Sequence, residues 1–364
     1  MLQTGTIFQD RYRIQCEVGR GSFGIVYAAE DLQNGQTVAV KVLLPWTRTN
    51  ESLRHRLKRE AKLTRLLKSP HAVRILDLQE VPDGELYIVM EFLAGEELSH
   101  LLARERRLSP DRAIEIARQT LDALGEAHAM GVIHRDLKPH NIFICRDAYD
   151  AVMVKVLDFG IAKVAGTEDG SGLAETTKLT APGGILGSPP YMSPEQCRGE
   201  SLTPASDFYS LGIVLHELTT GRVPFDDPNM VQVLMMHNSA PLPPLPPAIA
   251  NTALGRAITR SLEKDPRARF RTAAEFMAAL SSSGVQPPVK SSMKPAANAA
   301  AGSAAFPGAT IPSASPNDPQ AGQSISRDSR RRKSSASALG GLRAYLVAIV
   351  IVILLALLVL SHYL

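Results

Sequence analysis

The apolar pattern of this chain changes period near Ala94, and that change limits what the chain can become. Ahead of it, the run from Arg11 to Val18, then IVYAAED, TVAVKVL, RILDLQEV and ELYIVMEFL, alternate or stay apolar over strand lengths, with PDG as a turn signal. A single stretch there, ESLRHRLKREAKLTRLL, spaces its apolar residues for a helix. Behind Ala94 the helical spacing takes over. SPDRAIEIARQTLDALGEAHAMG opens with Ser109 as N-cap and Pro110 in the first turn, and SDFYSLGIVLHELTTG and RTAAEFMAALSSS follow. Short strands are expected on both sides of HRDLKPHN and ahead of LDFG. The body is therefore expected to be α+β, a small sheet-rich lobe followed by a larger helical one, with no internal repeat.

Composition separates this body, roughly Thr6 to Ser281, from the rest of the 364 residues. From Gln286 to Gly341 large apolar residues give way to Pro, Ala, Ser and Gly, which cannot bury enough surface to offset the entropy of ordering, so a disordered linker is expected. Net charge is +4, yet Ser281 to Leu364 carries eight basic residues against two acidic ones, which leaves −2 for the body. A nearly neutral body has no electrostatic footprint for nucleic acid. Cys16, Cys145 and Cys197 lie far apart without CxxC spacing, which argues against a disulfide framework or a zinc site and for a reducing compartment. MLQTGTIFQDRY lacks the apolar core of a signal peptide. Ala344 to Leu360, by contrast, is seventeen residues without a charge, about 26 Å as a helix, and is expected to cross a bilayer. The basic residues from Arg327 to Arg343 precede it, an asymmetry that would keep the body in the cytoplasm. The RRRKSS run would either press on anionic lipid headgroups or serve as a plain stop-transfer flank. After the span only SHYL follows, so no external sensor is expected.

The residues that carry chemistry fall in the body. HRDLKPHN, His134 to Asn141, wedges charged and amide groups between GVI and IFI, and such groups are seldom buried unless paired or used. GRGSFG places Gly19, Gly21 and Gly24 in a GxGxxG spacing. A dinucleotide-binding turn with that spacing would open a helix, whereas here IVYAAED reads as a strand, so the loop more plausibly folds over phosphates. Lys41 sits in the strand TVAVKVL, and Glu60, on the candidate helix, could fix it as a counter-ion. DFG follows at Asp158 to Gly160. Magnesium bound with nucleotide phosphates takes oxygen ligands, which Asn141 and Asp158 can donate; Asp136 can accept or orient a hydroxyl proton, and Lys138 can neutralise a transferring group. These requirements match phosphoryl transfer.

Taken in order, GRGSFGIVY, VAVK, HRDLKPHN, DFG, SPE and DFYSLG resemble the protein kinases, specifically the eukaryotic-like Ser/Thr kinases of bacteria. The resemblance runs from about Tyr12 to Ala279. It implies a bilobal protein kinase fold, with an N-lobe over 12–93 and a C-lobe over 94–280, followed by the linker and basic juxtamembrane run over 281–341 and a transmembrane helix over 342–361. It further implies ATP and Mg2+, with Mn2+ as the alternative ion. Gly19, Arg20, Gly21, Ser22 and Gly24 would cover the nucleotide, with Val26 and Ala39 against the adenine. Lys41 would contact the α and β phosphates and pair with Glu60. Met90 would close the rear of the pocket, and backbone groups of Glu91 and Leu93 would bond the adenine edge.

By the same resemblance Asp136 is the catalytic base, Asn141 and Asp158 the metal ligands and Lys138 the contact to the γ-phosphate. HRDLKPxN points to Ser/Thr acceptors. Ser188 stands where the family usually has Thr, and SPE replaces APE, with Glu195 expected to pair with Arg269 and Asp207 to play a structural role at the head of DFYSLG. His134 would pack and bond backbone, while Arg135 would grip a phosphorylated activation loop. Within VAGTEDGSGLAETTKLTAPGGILG, Thr180 best matches the usual phosphosite, with Thr176 and Thr177 as alternates. The implied partners are protein substrates, ATP, membrane lipids and a second copy of the chain for autophosphorylation in trans. Two rivals are a catalytically silent pseudokinase scaffold, which usually lacks one of Lys41, Asp136 and Asp158, and a small-molecule phosphotransferase, which would have no use for the SPE segment.

Overall fold

A computed structural model describes residues 2–21, 24–43, 51–81, 86–146, 151–159 and 188–281. All of these belong to a unit spanning Met1–Lys290. Ser22, Thr176, Thr177, Thr180, the linker beyond Ser281 and the expected membrane helix over 342–361 lie outside the described residues.

The alternating half folds as an antiparallel sheet of β1 (Ile7–Phe8), β2 (Tyr12–Arg20), β3 (Gly24–Asp31), β4 (Gln36–Leu43), β5 (Ile75–Glu80) and β6 (Leu86–Glu91), in the order β1-β2-β3-β4-β6-β5. The sheet thus begins at Ile7, ahead of the expected boundary at Tyr12. Side chains alternate across a strand, so Val38 and Val40 face one cluster with Tyr12, Ile14, Tyr27 and Val89, while Ala39, Lys41 and Leu43 share the opposite face. There Leu43, Ile75, Leu86 and Ile88 pack on Leu57 and Ala61 of α1 (Glu51–Thr64). Lys41 is therefore set by register on the face that α1 covers.

The large lobe is built on α3 (Pro110–Ala129), α5 (Pro204–Thr220), α8 (Ala253–Ser261) and α9 (Ala273–Ser281), with α2 (Leu98–Glu105), α4 (Pro194–Arg198), α6 (Met230–Ser239) and α7 (Pro247–Ala250) around them. Ser109 caps α3, its side chain accepting from the Arg112 N–H, as its sequence indicates. Gly212 permits the crossing of α5 and α8: a Cβ there would collide with Ser261. A second, three-stranded sheet of β7 (Gly95–Glu97), β8 (Ile142–Arg146) and β9 (Val152–Val156) lies beside α2 and α3. The strand expected ahead of His134 is not formed; Val132 is buried in a loop, its N–H donating to Ala127 O at 2.9 Å. That run is too short to pair once α3 has delivered the chain to the site, and β8 pairs with β7 and β9 instead.

Where the chain returns from α1 it is fixed to the large lobe. Glu126 of α3 accepts from the N–H groups of Lys68 and Ser69, Ser69 Oγ donates to Asp122 at 2.6 Å, and the backbone of His71 and Val73 bonds to Val156. The lobe crossing is held in a second place: the Glu91 carboxylate accepts from the Arg74 N–H at 2.8 Å and pairs with Lys155 Nζ at 2.7 Å.

Candidate active site

Asp207, in the first turn of α5, sets the HRDLKPHN loop from below. It is almost fully buried and accepts from the His134 N–H at 2.8 Å, the Arg135 N–H at 2.9 Å and His128 Nε2 at 2.7 Å. Burial alone would push its carboxyl up, yet these donors hold it below the usual carboxylate range. They also hold Arg135 at φ 68°, a left-handed backbone that costs a non-glycine residue on the order of 1–3 kcal/mol. His134 joins this loop to the next: its Nε2 bonds Leu157 O at 2.8 Å, its Nδ1 accepts the Asp136 N–H at 3.3 Å, and its ring meets Phe159 edge-on at 5.1 Å. With Nδ1 accepting, the ring proton belongs on Nε2.

On this frame Asp136, Lys138 and Asn141 stand together. Asp136 Oδ2 lies 2.9 Å from Lys138 Nζ, and Lys138 Nζ donates to Ser188 Oγ at 2.8 Å. Asn141 Nδ2 donates to Asp136 O at 2.7 Å and reaches its Oδ2 at 3.3 Å, which turns the amide oxygen away from Asp136. On the neighbouring loop Asp158 also has a left-handed backbone, at φ 53°, and its Oδ1 pairs with Lys41 Nζ at 2.7 Å. Burial pushes the Asp158 carboxyl up, but Lys41 above all, with His134 and Lys138, holds it below the usual range. The site therefore offers an ionised carboxylate and an amide oxygen, hard donors that suit a divalent ion such as Mg2+ or Mn2+. Among the described residues no group of three or more His, Cys, Asp and Glu stands together as a metal site.

One expected contact is different. Lys41 pairs with Asp158 rather than with Glu60, and the Glu60 carboxylate lies 3.3 Å from Arg135 Nη1. Burial pushes the Glu60 carboxyl up, against the pull of Arg135 and Arg59, and its Oε2 has no hydrogen-bond partner. The physical reason is reach: α1 turns Glu60 toward the catalytic loop, and a buried ammonium takes the carboxylate beside it. Arg135 is thus engaged with α1; the activation-loop threonines that it is expected to serve lie outside the described residues.

The positions expected to bind nucleotide fall along the small lobe. Gly19 is the penultimate residue of β2 and Gly24 begins β3, with Gly21 N–H bonded to Gly24 O at 2.9 Å between them. A Cβ on Gly24 would meet Val42 O at 2.5 Å, whereas one on Gly19 or Gly21 would meet nothing within 4 Å. Arg20 turns its guanidinium to Glu17, at 2.9 Å. Val26 stands opposite Lys41 and Ala39 opposite Met90 in register. Glu91 and Leu93 are half-buried at the lobe crossing, where the Glu91 N–H donates to Arg74 O at 3.0 Å.

Beyond the cleft, Glu195 and Arg269 form a fully buried two-pronged pair at 2.7 and 2.9 Å. Arg269 also donates to the carbonyls of Glu263, Lys264 and Ala205, and Ser206 Oγ bonds Glu195. Burial would raise the Glu195 carboxyl, but Arg269 holds it below the usual range. Three residues that brace the site, Gln196, Lys155 and His128, escape sequence reasoning. Gln196 has a signal, since S-P-E-Q spells a capping box; Lys155 and His128 have none.

The two-lobed fold thus brings a glycine turn, a strand lysine and the aspartates Asp136 and Asp158 into one neighbourhood, the arrangement of the kinase fold. The protein kinase domain family model matches residues 12–279, and the chain belongs to that family. It is 40% identical to the Ser/Thr protein kinase pkn3 of Myxococcus xanthus, over 74% of this chain and 49% of that protein. It is 38% identical to PknA of Corynebacterium glutamicum, over 76% and 57% respectively, and 36% identical to PknA of Mycobacterium tuberculosis, over 85% and 69%. The chain spans about half the length of the first two of these curated relatives. The crystal structure of the Mycobacterium tuberculosis PknI kinase domain shares the fold, with a TM-score of 0.58 and 24% identity over 77% of this chain and 98% of that one.

Proposed function

We propose that this protein is a Ser/Thr protein kinase that transfers the γ-phosphoryl group of ATP to hydroxyls of proteins. The observation that carries the reading is the cleft itself, where Asp136 stands with Lys138 and Ser188 while Asp158 stands with Lys41, and His134 bonds both loops. Asp136 accepts or orients the proton of the incoming hydroxyl as its oxygen bonds to phosphorus and the bond from phosphorus to the bridging β–γ oxygen breaks, leaving ADP. Lys138 offsets charge on the moving phosphoryl group, and its bond to Ser188 supports a Ser or Thr acceptor beside them. Gly19, Gly21 and Gly24 cover the phosphates, Lys41 holds the α and β phosphates, and Val26, Ala39, Met90 and the backbone of Glu91 and Leu93 hold the base. Asn141 and Asp158 would hold Mg2+, or Mn2+ in its place, which would neutralise phosphate charge. With Lys41, Asp136 and Asp158 all in place, nothing favours the silent-scaffold reading.

Regulation follows from the exchanged ion pairs. Phosphate on Thr180, or on Thr176 or Thr177, would draw Arg135 away from Glu60, freeing Glu60 to take Lys41 and Lys41 to leave Asp158. Among the described residues no helix is long and apolar enough to cross a membrane. The apolar run from Ala344 to Leu360 supports a membrane anchor with the kinase domain on the cytoplasmic side, and the basic run before it supports contact with anionic lipid. A flexible linker of about sixty residues would reach about 45 Å and concentrate a second copy for autophosphorylation in trans. The direct test incubates the purified protein and its Asp136→Asn variant with labelled ATP and Mg2+ and maps the modified residues. Label on the wild type alone is expected; equal label on both would expose a contaminating activity.

A further inference from the structure

Gln196 is the third residue of α4, buried, and its side-chain amide is divided between two tasks. Its Oε1 accepts the Ser193 N–H at 2.9 Å, and its own N–H bonds Ser193 Oγ at 3.3 Å, closing the capping box of α4. Its Nε2 points the other way and donates to Arg135 O at 2.7 Å. That carbonyl belongs to the peptide unit leading into Asp136, whose N–H is the one accepted by His134 Nδ1 at 3.3 Å.

We infer that Gln196 is a positioning residue for Asp136, fixing the peptide plane that carries it and tying the acceptor-binding segment to the catalytic loop; the inference rests on the kinase reading above. A peptide unit is planar, so holding its C=O from α4 and its N–H from His134 leaves the Asp136 Cα little freedom to rotate. The need is real at this position, because Arg135 is left-handed at φ 68° and its carbonyl points where an ordinary backbone would not send it. α4 is a firm base, since Glu195 beside Gln196 is locked to Arg269.

Capping alone does not explain the residue type. A capping box needs only an acceptor at this place, which Glu supplies as well as Gln, and a carboxylate would gain from the positive end of the helix. A carboxylate would, however, face the Arg135 carbonyl with no proton to give. The amide serves both neighbours.

The test uses the full chain with Gln196→Glu, which keeps the cap acceptor and removes the donor, Gln196→Met, which removes both, and Ser193→Ala, which weakens only the cap. Gln196→Glu and Gln196→Met are each expected to lower kcat on the order of tenfold or more, the loss of one buried hydrogen bond at a site intolerant of misplacement. KM for ATP should stay within about twofold of the wild type, because the nucleotide is held by other residues. Ser193→Ala should lose thermal stability and keep most of its kcat. Amide exchange over residues 134–141 should quicken in Gln196→Glu. A Gln196→Glu protein with wild-type kcat, a Ser193→Ala protein as slow as it, or unchanged exchange over 134–141 would each overturn the inference. If the wild type itself transferred no phosphate, the kinase reading would fall, while the exchange measurement would still decide the role of Gln196.

Discussion

Asp136, Lys138 and Asn141 are legible in the sequence because they stand in one eight-residue run, and their mutual contacts at 2.7–3.3 Å are short-range consequences of that spacing. Replacing Asp136 with Asn should lower kcat by about 10²–10⁴-fold, the usual weight of a positioned base, and leave nucleotide affinity within about twofold; unchanged turnover would remove Asp136 from the chemistry. The partners of Lys41 and Glu60 are not legible there. Two cations, Lys41 and Arg135, compete for Glu60, and which one wins depends on where α1 lies, a property of packing that no spacing records. If the two pairs exchange on loop phosphorylation, Arg135→Ala should bring the activity ratio of phosphorylated to phosphatase-treated protein down toward one. A ratio as large as the wild type's would show that Arg135 does not carry the signal.

At the scale of strands and helices, the three glycines of GRGSFG separate into two kinds. Gly24 is required by the sheet, since a Cβ would lie 2.5 Å from Val42 O, whereas Gly21 has open space. Gly24→Ala should therefore destabilise the protein by about 1–3 kcal/mol, as overpacking does, seen as a lower unfolding midpoint in urea. Gly21→Ala should unfold like the wild type, and any defect should appear in KM for ATP. The motif spacing cannot make this distinction, because GxGxxG is silent about which neighbour crowds which glycine. The periods of the apolar residues match the observed strands and helices along most of the body. The missing strand before His134 shows the limit: an apolar triplet is buried equally well by a loop, and pairing is settled by the partner strands available. Gln196 shows the same limit for side chains, since a capping signal reveals one end of an amide and not what the other end meets.

For the molecule as a whole, buried imidazoles begin the loss of stability toward acid, ahead of the buried carboxylates Asp158, Asp207 and Glu195, whose protonation, held below the usual range, removes stability at still lower pH. His237 lies among Tyr209, Phe225 and Lys264, and burial pushes it down to about 4; His216 is lowered by burial as well. The unfolded chain binds a proton at His237 near pH 6.5 and the folded one resists until about 4, so the contribution of this residue is complete above about pH 6.5 and drains as pH falls toward 4, by up to about 3 kcal/mol. Glu60 and Glu217, both raised by burial, act in the opposite sense, so the effect is best isolated by comparison. The fall of unfolding midpoint between pH 6.5 and 4 should be shallower in His237→Gln; an identical slope would assign it elsewhere. The two-lobed plan is visible as a change of period, but the fastening of the lobes through Glu126, Lys155 and Glu91 is not, because it joins residues far apart in the chain. That fastening has a use. With Glu91 moored from both sides, trimming its half-buried neighbour Met90 to Ala would open space opposite Ala39 without shifting the strand. On the proposed placement of the base beside Met90, a purine donor enlarged to fill that space would be accepted by the altered protein and refused by phosphotransferases that keep a large side chain there.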